Sequence, residues 1–213
     1  MSLTLLEPRV RNLLDEMHAQ AARTDPPLLE KAQGTRGAER AALLSDAFIP
    51  VDAQAGTLLY SLVRNARPGV IVEFGTSFGI STIYMAAALK DRGGGSLITT
   101  EISQKKAQQA LQYIAQADLL DFVDLRLGDA NETLEALERD IAFAFLDGMK
   151  DLYLPVLQLL EPSLQPGALI VADDIDLFPQ PLKPYVDYVR DVANGYVSVA
   201  VPIGDGMELS VRE

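Results

Sequence analysis

The sequence predicts an α/β protein: a mostly parallel seven-stranded sheet with an antiparallel C-terminal strand, preceded by a helical N-terminal extension. Three observations predict it. Short β-rich runs alternate with helical stretches five times along the chain, the pattern of a parallel sheet covered on both faces. Two of the runs, Val70–Val72 and Ile141–Leu146, are continuously apolar, as strands buried on both sides are. The last two runs, Tyr196–Val201 and Met207–Val211, are joined only by Pro202-Ile203-Gly204-Asp205-Gly206. That link is too short for a crossover helix, so the final pair is antiparallel.

In chain order, Val10, Leu13, Leu14 and Met17 recur at helical spacing and open the chain with a helix. Asp25-Pro26-Pro27 is expected to break it. His18 falls on or near its polar side and reads as a surface residue. Ala38–Phe48 offers a second helical stretch, and no strand pattern precedes residue 70. Asp52–Asn65 is helical, with Leu58, Leu59, Leu62 and Val63 on its apolar side, and Arg67-Pro68-Gly69 stops it. Val70–Phe74 is the first strand, followed by a helix over Ser77–Lys90 and a turn at Gly93-Gly94-Gly95. Leu97–Thr100 is the second strand and ends at Glu101; a helix over Lys105–Ala117 leads to the third, Phe122–Leu127. Glu132–Leu137 is a short helix. Ile141–Leu146 ends at Asp147, and Leu152–Leu160 is helical until Pro162 and Pro166-Gly167 end it. Ala168–Ala172, the fifth strand, ends at Asp173-Asp174, and Pro184–Ala193 is the last helix.

Composition narrows the chemistry. A chain of 213 residues fits one domain with an appended segment, and 48% apolar content supports a sizeable core. The absence of cysteine excludes disulfides, thiolate metal sites and cysteine nucleophiles, and the single histidine excludes a histidine-rich centre. Lys+Arg is 18 against 30 Asp+Glu, a net charge of −12, so no nucleic-acid partner is expected. No apolar run approaches the roughly 18 residues of a membrane span, and no export signal opens the chain. The expectation is no membrane partner and a cytoplasmic location.

In an open α/β sheet, ligands bind outside the carboxyl ends of the strands. The first strand is followed by Glu73-Phe74-Gly75-Thr76-Ser77-Phe78-Gly79-Ile80-Ser81. Glycines at a strand-to-helix turn admit a ligand to the backbone, but the spacing is not that of a dinucleotide-binding loop. Glu73 suits a cationic or amine-bearing ligand; the alternative is a purely steric turn. Glu101 ends the second strand, where an acid accepts ribose hydroxyls in preference to a plain helix-dipole role. Asp129 follows the third strand and either meets an adenine amino group or caps the next helix. Asp147 and the Asp173-Asp174 pair end what should be neighbouring strands, so three carboxylates converge. Without histidine or cysteine, such a set selects a hard cation, Mg²⁺, Mn²⁺ or Ca²⁺. Singly, Asp147 and Asp174 read better as helix caps and Asp173 as facing water; their coincidence at two adjacent strand ends favours a site. Lys150 reaches the same place, where it balances charge or serves as a base.

These residues resemble a known family. The glycine turn, Asp147-Gly148-Met149-Lys150-Asp151-Leu152-Tyr153, Ala172-Asp173-Asp174 and Gly204-Asp205-Gly206-Met207-Glu208 look like class I S-adenosylmethionine-dependent O-methyltransferases. Within them they resemble the metal-dependent group that includes the catechol and caffeoyl-CoA enzymes. The likeness implies a Rossmann-like methyltransferase sandwich over residues 49–213, the S-adenosylmethionine-binding domain, with 1–48 as a helical extension. It implies that Val51, Glu73, Gly75, Thr76, Ser77 and Ser81 hold the methionine part of the cofactor. Glu101 would take the ribose, and Ile102, Asp129 and Ala130 would border the adenine. Asp147, Asp173 and Asp174 would bind the metal, with Lys150 as general base beside Asp147. The family usually has Asn where this chain has Asp174. The catechol enzyme has an aromatic gate where this chain has Met149, and an acid where it has Pro202. The resemblance implies a small-molecule acceptor and a homodimer. The competing readings are a metal-independent methyltransferase, a non-catalytic cofactor-binding relative and, weakened by the glycine spacing, a nicotinamide oxidoreductase.

Overall fold

The structure is a computed structural model that describes residues 3–35, 37–135, 137 and 140–213. Its helices are α1 (Pro8–Lys31), α2 (Gly37–Leu43), α3 (Ala53–Asn65), α4 (Ile80–Asp91), α5 (Gln104–Gln116), α6 (Ala130–Thr133), α7 (Tyr153–Leu160) and α8 (Pro179–Arg190). Its strands are β1 (Val70–Phe74), β2 (Leu97–Glu101), β3 (Val123–Leu127), β4 (Ile141–Leu146), β5 (Leu164–Ala172), β6 (Tyr196–Val201) and β7 (Met207–Arg212). One sheet runs in the order β3-β2-β1-β4-β5-β7-β6. The pairs from β3 to β5 are parallel, and β7 pairs antiparallel with both β5 and β6.

The strand order reverses between β1 and β4, and the carboxyl ends of these two strands form the crevice of an α/β sheet. Both are buried along their whole length, as their apolar sequences require. One core cluster joins α1, α3, α4 and α5 on one face of the sheet; the other joins α6, α7 and α8 on the opposite face. The first helix shares the core of the sheet: Val10, Leu13, Leu14, Met17 and Ala21 are buried with Leu59, Ile83 and Phe143. Helix α4 is buried from Ile80 to Leu89 on every side, because α3 covers what the sheet does not.

Several boundaries differ from expectation, each for a local reason. Helix α1 continues through Pro26 and Pro27 instead of breaking. Proline fits helical φ and forfeits the bond to residue i−4, and here tertiary bonds from the buried Asp25 offset that loss. The second helix stops at Leu43, and Phe48–Val51 form an irregular strap. Helix α4 starts at Ile80, because Ser77 (φ 47°) and Gly79 (φ 88°) lie in the left-handed region. Strand β5 starts at Leu164 and accommodates Pro166-Gly167 at a slip in its register with β4, where a missing N–H is tolerated. Helix α8 begins at Pro179 and carries Pro184 inside it. The short helix after Gly128 covers Ala130–Thr133; Ala136, within its expected range, lies outside the described residues. His18 is half-buried beside Tyr84, with ring centroids 6.4 Å apart, instead of facing solvent. Burial holds its imidazole below the usual pKa, and Nε2 has no hydrogen-bond partner. Among the described residues, no helix is long and apolar enough to cross a membrane.

Candidate functional site

The turn after β1 is built for close approach. Gly75 sits at φ 104°, and a Cβ there would lie 2.6 Å from the carbonyl oxygen of Asp147. Only glycine lets the ends of β1 and β4 meet this tightly. Glu73, the fourth residue of β1, is fully buried. Its carboxylate accepts hydrogen bonds from Ser81 Oγ (2.5 Å), Thr82 Oγ1 (2.6 Å) and Thr99 Oγ1 (2.6 Å). Burial is the main force on its proton: the pKa rises from 4.5 to about 7, although the three hydroxyls pull it down. Nearby Asp147 adds a smaller upward push. The crevice beside the turn is lined by Phe48–Val51 of the strap, by Gly75–Phe78, Ile80 and Ser81, and by Asp147.

At the end of β2, Glu101 ties the turn together. Its Oε2 accepts from the Ser77 N–H and its Oε1 from the Ser103 N–H, both at 2.8 Å. Each oxygen keeps a free lone pair, which is what recognition of a vicinal diol requires. Ile102 is 66% exposed beside it, and Ala130 is buried. Asp129 caps α6, accepting from the Asn131 N–H at 2.8 Å, so of its two readings the capping role is present in the fold.

The ends of β4 and β5 bring Asp147, Asp173 and Asp174 together around Lys150. Lys150 Nζ lies 3.0 Å from Asp147 Oδ1, 2.6 Å from Asp174 Oδ2 and 2.7 Å from the Tyr153 hydroxyl. The rings of Tyr153 and Phe178 flank the ammonium at 5.1 and 5.8 Å. Asp173 Oδ1 accepts only the N–H of Asp174, at 2.9 Å, among the bonds described. Burial, with smaller pushes from Asp147 and Asp174, raises the Asp173 carboxyl to about 8. Burial also lifts Asp147 to about 6, against the pull of Lys150. For Lys150 itself burial pulls downward, but Asp147 and Asp174 outweigh it and the ammonium is held above its usual value. Lys150 thus pairs with two of the three acids, Asp147 and Asp174. As the side chains stand, Lys150 Nζ occupies the ground between Asp147 and Asp174. Among the described residues, no group of three His, Cys, Asp or Glu side chains is set to hold a metal.

The sequence reading missed several members. Thr82 and Thr99 complete the hydroxyl cage of Glu73. Lys106 is buried, with Nζ 3.2 Å from Ser77 Oγ and over the Phe78 ring at 5.5 Å. Asp25 and Phe48 shape the strap. For Thr99 there was a signal, since on a strand it shares a face with Glu101 two residues on. For Lys106 and Asp25, ordinary charged residues on helices, there was none.

Comparison with known proteins agrees with this geometry. A family model described as a methyltransferase domain matches residues 72–175. The chain is 36% identical over 131 residues to the catechol O-methyltransferase of Niastella koreensis, covering 60% of this chain and 58% of that one. It is 30% identical over 132 residues to the catechol O-methyltransferase of Sus scrofa, covering 59% of this chain and 70% of that one. It therefore spans 58% of the Niastella enzyme's length, little more than half. In fold it matches the crystal structure of an O-methyltransferase from Bacillus cereus in complex with SAH. That match has a TM-score of 0.72 at 24% identity and covers 98% of this chain and 94% of that one. With the glycine turn at the β1–β4 switch and the acids at the ends of β4 and β5, the chain belongs to the class I S-adenosylmethionine-dependent O-methyltransferases, in the group of the catechol and caffeoyl-CoA enzymes.

Proposed function

We propose that the protein transfers a methyl group from S-adenosylmethionine to a hydroxyl of a small acceptor with adjacent oxygens, assisted by a divalent cation. One observation carries the reading. Asp147 belongs to both halves of the site: it lines the crevice with Gly75, Ser77 and Ser81, and it is bonded to Lys150 in the carboxylate cluster. A donor seated on the glycine turn therefore lies beside the groups that handle the acceptor's proton. The names of the catechol O-methyltransferase relatives support an acceptor with neighbouring hydroxyls.

Val51, Glu73, Gly75, Thr76, Ser77 and Ser81 would hold the methionine part of the donor, with the Glu73 carboxylate facing its ammonium. Glu101 would accept from the ribose hydroxyls, and Ile102, Asp129 and Ala130 would border the adenine. Bound S-adenosylmethionine supplies a methyl group already activated by its sulfonium. Asp147, Asp173 and Asp174 would supply the ion's ligands, all oxygen and so of the kind that takes Mg²⁺, with Lys150 Nζ giving up its place between Asp147 and Asp174. An ion held there supplies Lewis-acid stabilisation of the acceptor oxygen. Lys150 is an ammonium while it is bonded to Asp147 and Asp174; as general base its Nζ would first lose that proton to solvent and then take the acceptor's. The acceptor oxygen, its proton gone, would take the methyl group as the carbon–sulfur bond breaks, with S-adenosylhomocysteine and a methyl ether as products. Tyr153 and Phe178 wall the lysine from solvent. Most of the acceleration is positioning, because the methyl group needs no further activation.

The test is methyl transfer to a panel of diphenols with Mg²⁺ and with EDTA. Asp147→Ala is expected to abolish metal-dependent turnover. Full activity in EDTA would remove the metal from the reading and leave a metal-independent methyltransferase. The Lys150 ammonium, already bridging Asp147 and Asp174, favours that second reading. Binding of S-adenosylhomocysteine with no transfer to any acceptor would overturn catalysis altogether.

A further inference from the structure

We propose that Asp25, near the end of α1, is a positioning residue for the donor crevice, acting through the strap Phe48–Val51. The proposal rests on the donor reading given above. The strap forms one wall of the crevice, opposite Gly75–Ser81. Its conformation is not self-supporting. Ile49 stands at φ 45°, a region that a β-branched residue avoids, yet its side chain is 42% exposed, so burial of the side chain does not impose it. Phe48 and Val51 anchor the strap's ends in the core, Phe48 stacked on Phe78 with ring centroids 4.4 Å apart beside a cavity of about 460 Å³ between α1 and α5, but neither contact dictates the backbone at Ile49.

What holds the backbone at Ile49 is a buried carboxylate. Asp25 is 5% exposed, and its two oxygens accept the N–H groups of Phe48 (2.9 Å) and Ile49 (2.7 Å). Thr24 Oγ1 lies 3.0 Å from Oδ1. Charge-assisted bonds to two successive backbone N–H groups fix the peptide plane between them. From the other side, Ser77 Oγ donates to the Phe48 carbonyl at 2.7 Å and in turn accepts from Lys106 Nζ at 3.2 Å. The strap is thus pinned between the N-terminal helix and the donor turn. The same clamp explains why α1 persists through Pro26 and Pro27: the carboxylate sits in the turn that those prolines weaken. Residues 1–48 then belong to the donor site instead of merely adjoining it.

The experiment compares the full chain with its Asp25→Asn variant by calorimetric titration with S-adenosylhomocysteine and by amide hydrogen exchange over residues 47–51. Asparagine keeps the shape but turns one acceptor into a donor, which faces a backbone N–H. Faster exchange at Phe48 and Ile49 is expected. If the strap is then in register in about a tenth of molecules, the Kd rises about tenfold. The KM for S-adenosylmethionine should rise in parallel, with kcat at saturating donor unchanged. Unchanged exchange, or faster exchange with an unchanged Kd, overturns the proposal alone. A wild-type chain that binds no S-adenosylhomocysteine overturns the donor reading and this proposal with it. If Asp25→Asn does not fold, Asp25→Glu keeps the charge, displaces the carboxylate by one methylene and is read by the same measurements.

Discussion

Replacing Glu73 by Gln should change how stability depends on pH, and the structure sets the size of the effect. A carboxyl whose pKa is higher in the folded than in the unfolded chain binds more protons when folded. Its ionisation therefore opposes folding, and the stability it leaves is lost as pH rises through the window between the two values. For Glu73 that window runs from 4.5 to about 7, because full burial penalises the ionised form more than the hydroxyls of Ser81, Thr82 and Thr99 repay it. Below the window the group is neutral in both states. Above it the chain carries the full cost, about 3–4 kcal/mol at ~1.4 kcal/mol per pH unit. Glutamine has the same shape, and the three hydroxyls can turn to serve its amide. Melting temperatures of the ligand-free wild type and of Glu73→Gln, measured side by side across this window, isolate the one group, since other titrations cancel in the difference. The variant should gain on the wild type by roughly 7–14 °C from the acid to the alkaline end, at ~2–4 °C per kcal/mol for a chain of this size. Parallel curves, or a wild type that gains as pH rises, would refute the reasoning. If Glu73 holds the donor's ammonium as proposed, the same variant should bind S-adenosylhomocysteine about 10–100-fold more weakly; unchanged affinity would leave Glu73 a purely structural residue.

Other substitutions test the rest of the site. Gly75→Ala places a Cβ 2.6 Å from the Asp147 carbonyl at φ 104°. It should cost at least ~1–3 kcal/mol in thermal unfolding and abolish S-adenosylhomocysteine binding. Lys150→Met should lower methyl transfer by about 10²–10⁴-fold, the usual worth of a general base. It should leave S-adenosylhomocysteine affinity intact, because Lys150 does not line the donor crevice; loss of affinity would move the lysine into the donor site.

The fold and the position of the site were legible because both follow from order along the chain. In a parallel sheet every strand ends at the same edge, so Glu73, Glu101, Asp147 and Asp173, each read from the end of a strand, had to share one rim whatever the register. Helix limits were less legible. The proline pair in α1, Pro166-Gly167 in β5 and Ser77 after β1 were judged by local preference, and in each case bonds from elsewhere in the chain overrode it.

The sequence by itself determined the alternation of strands and helices, the acids at the strand ends and the exclusion of cysteine and histidine chemistry, because these depend on periodicity and composition. Only the tertiary structure decided which groups meet. Lys150 stands between Asp147 and Asp174, and the Glu73 carboxylate is enclosed by three hydroxyls from α4 and β2. Asp25 reaches Phe48 and Ile49 across the whole of α2. Periodicity marks the face of a helix that turns inward, but not the distant backbone that a buried charge on it will hold.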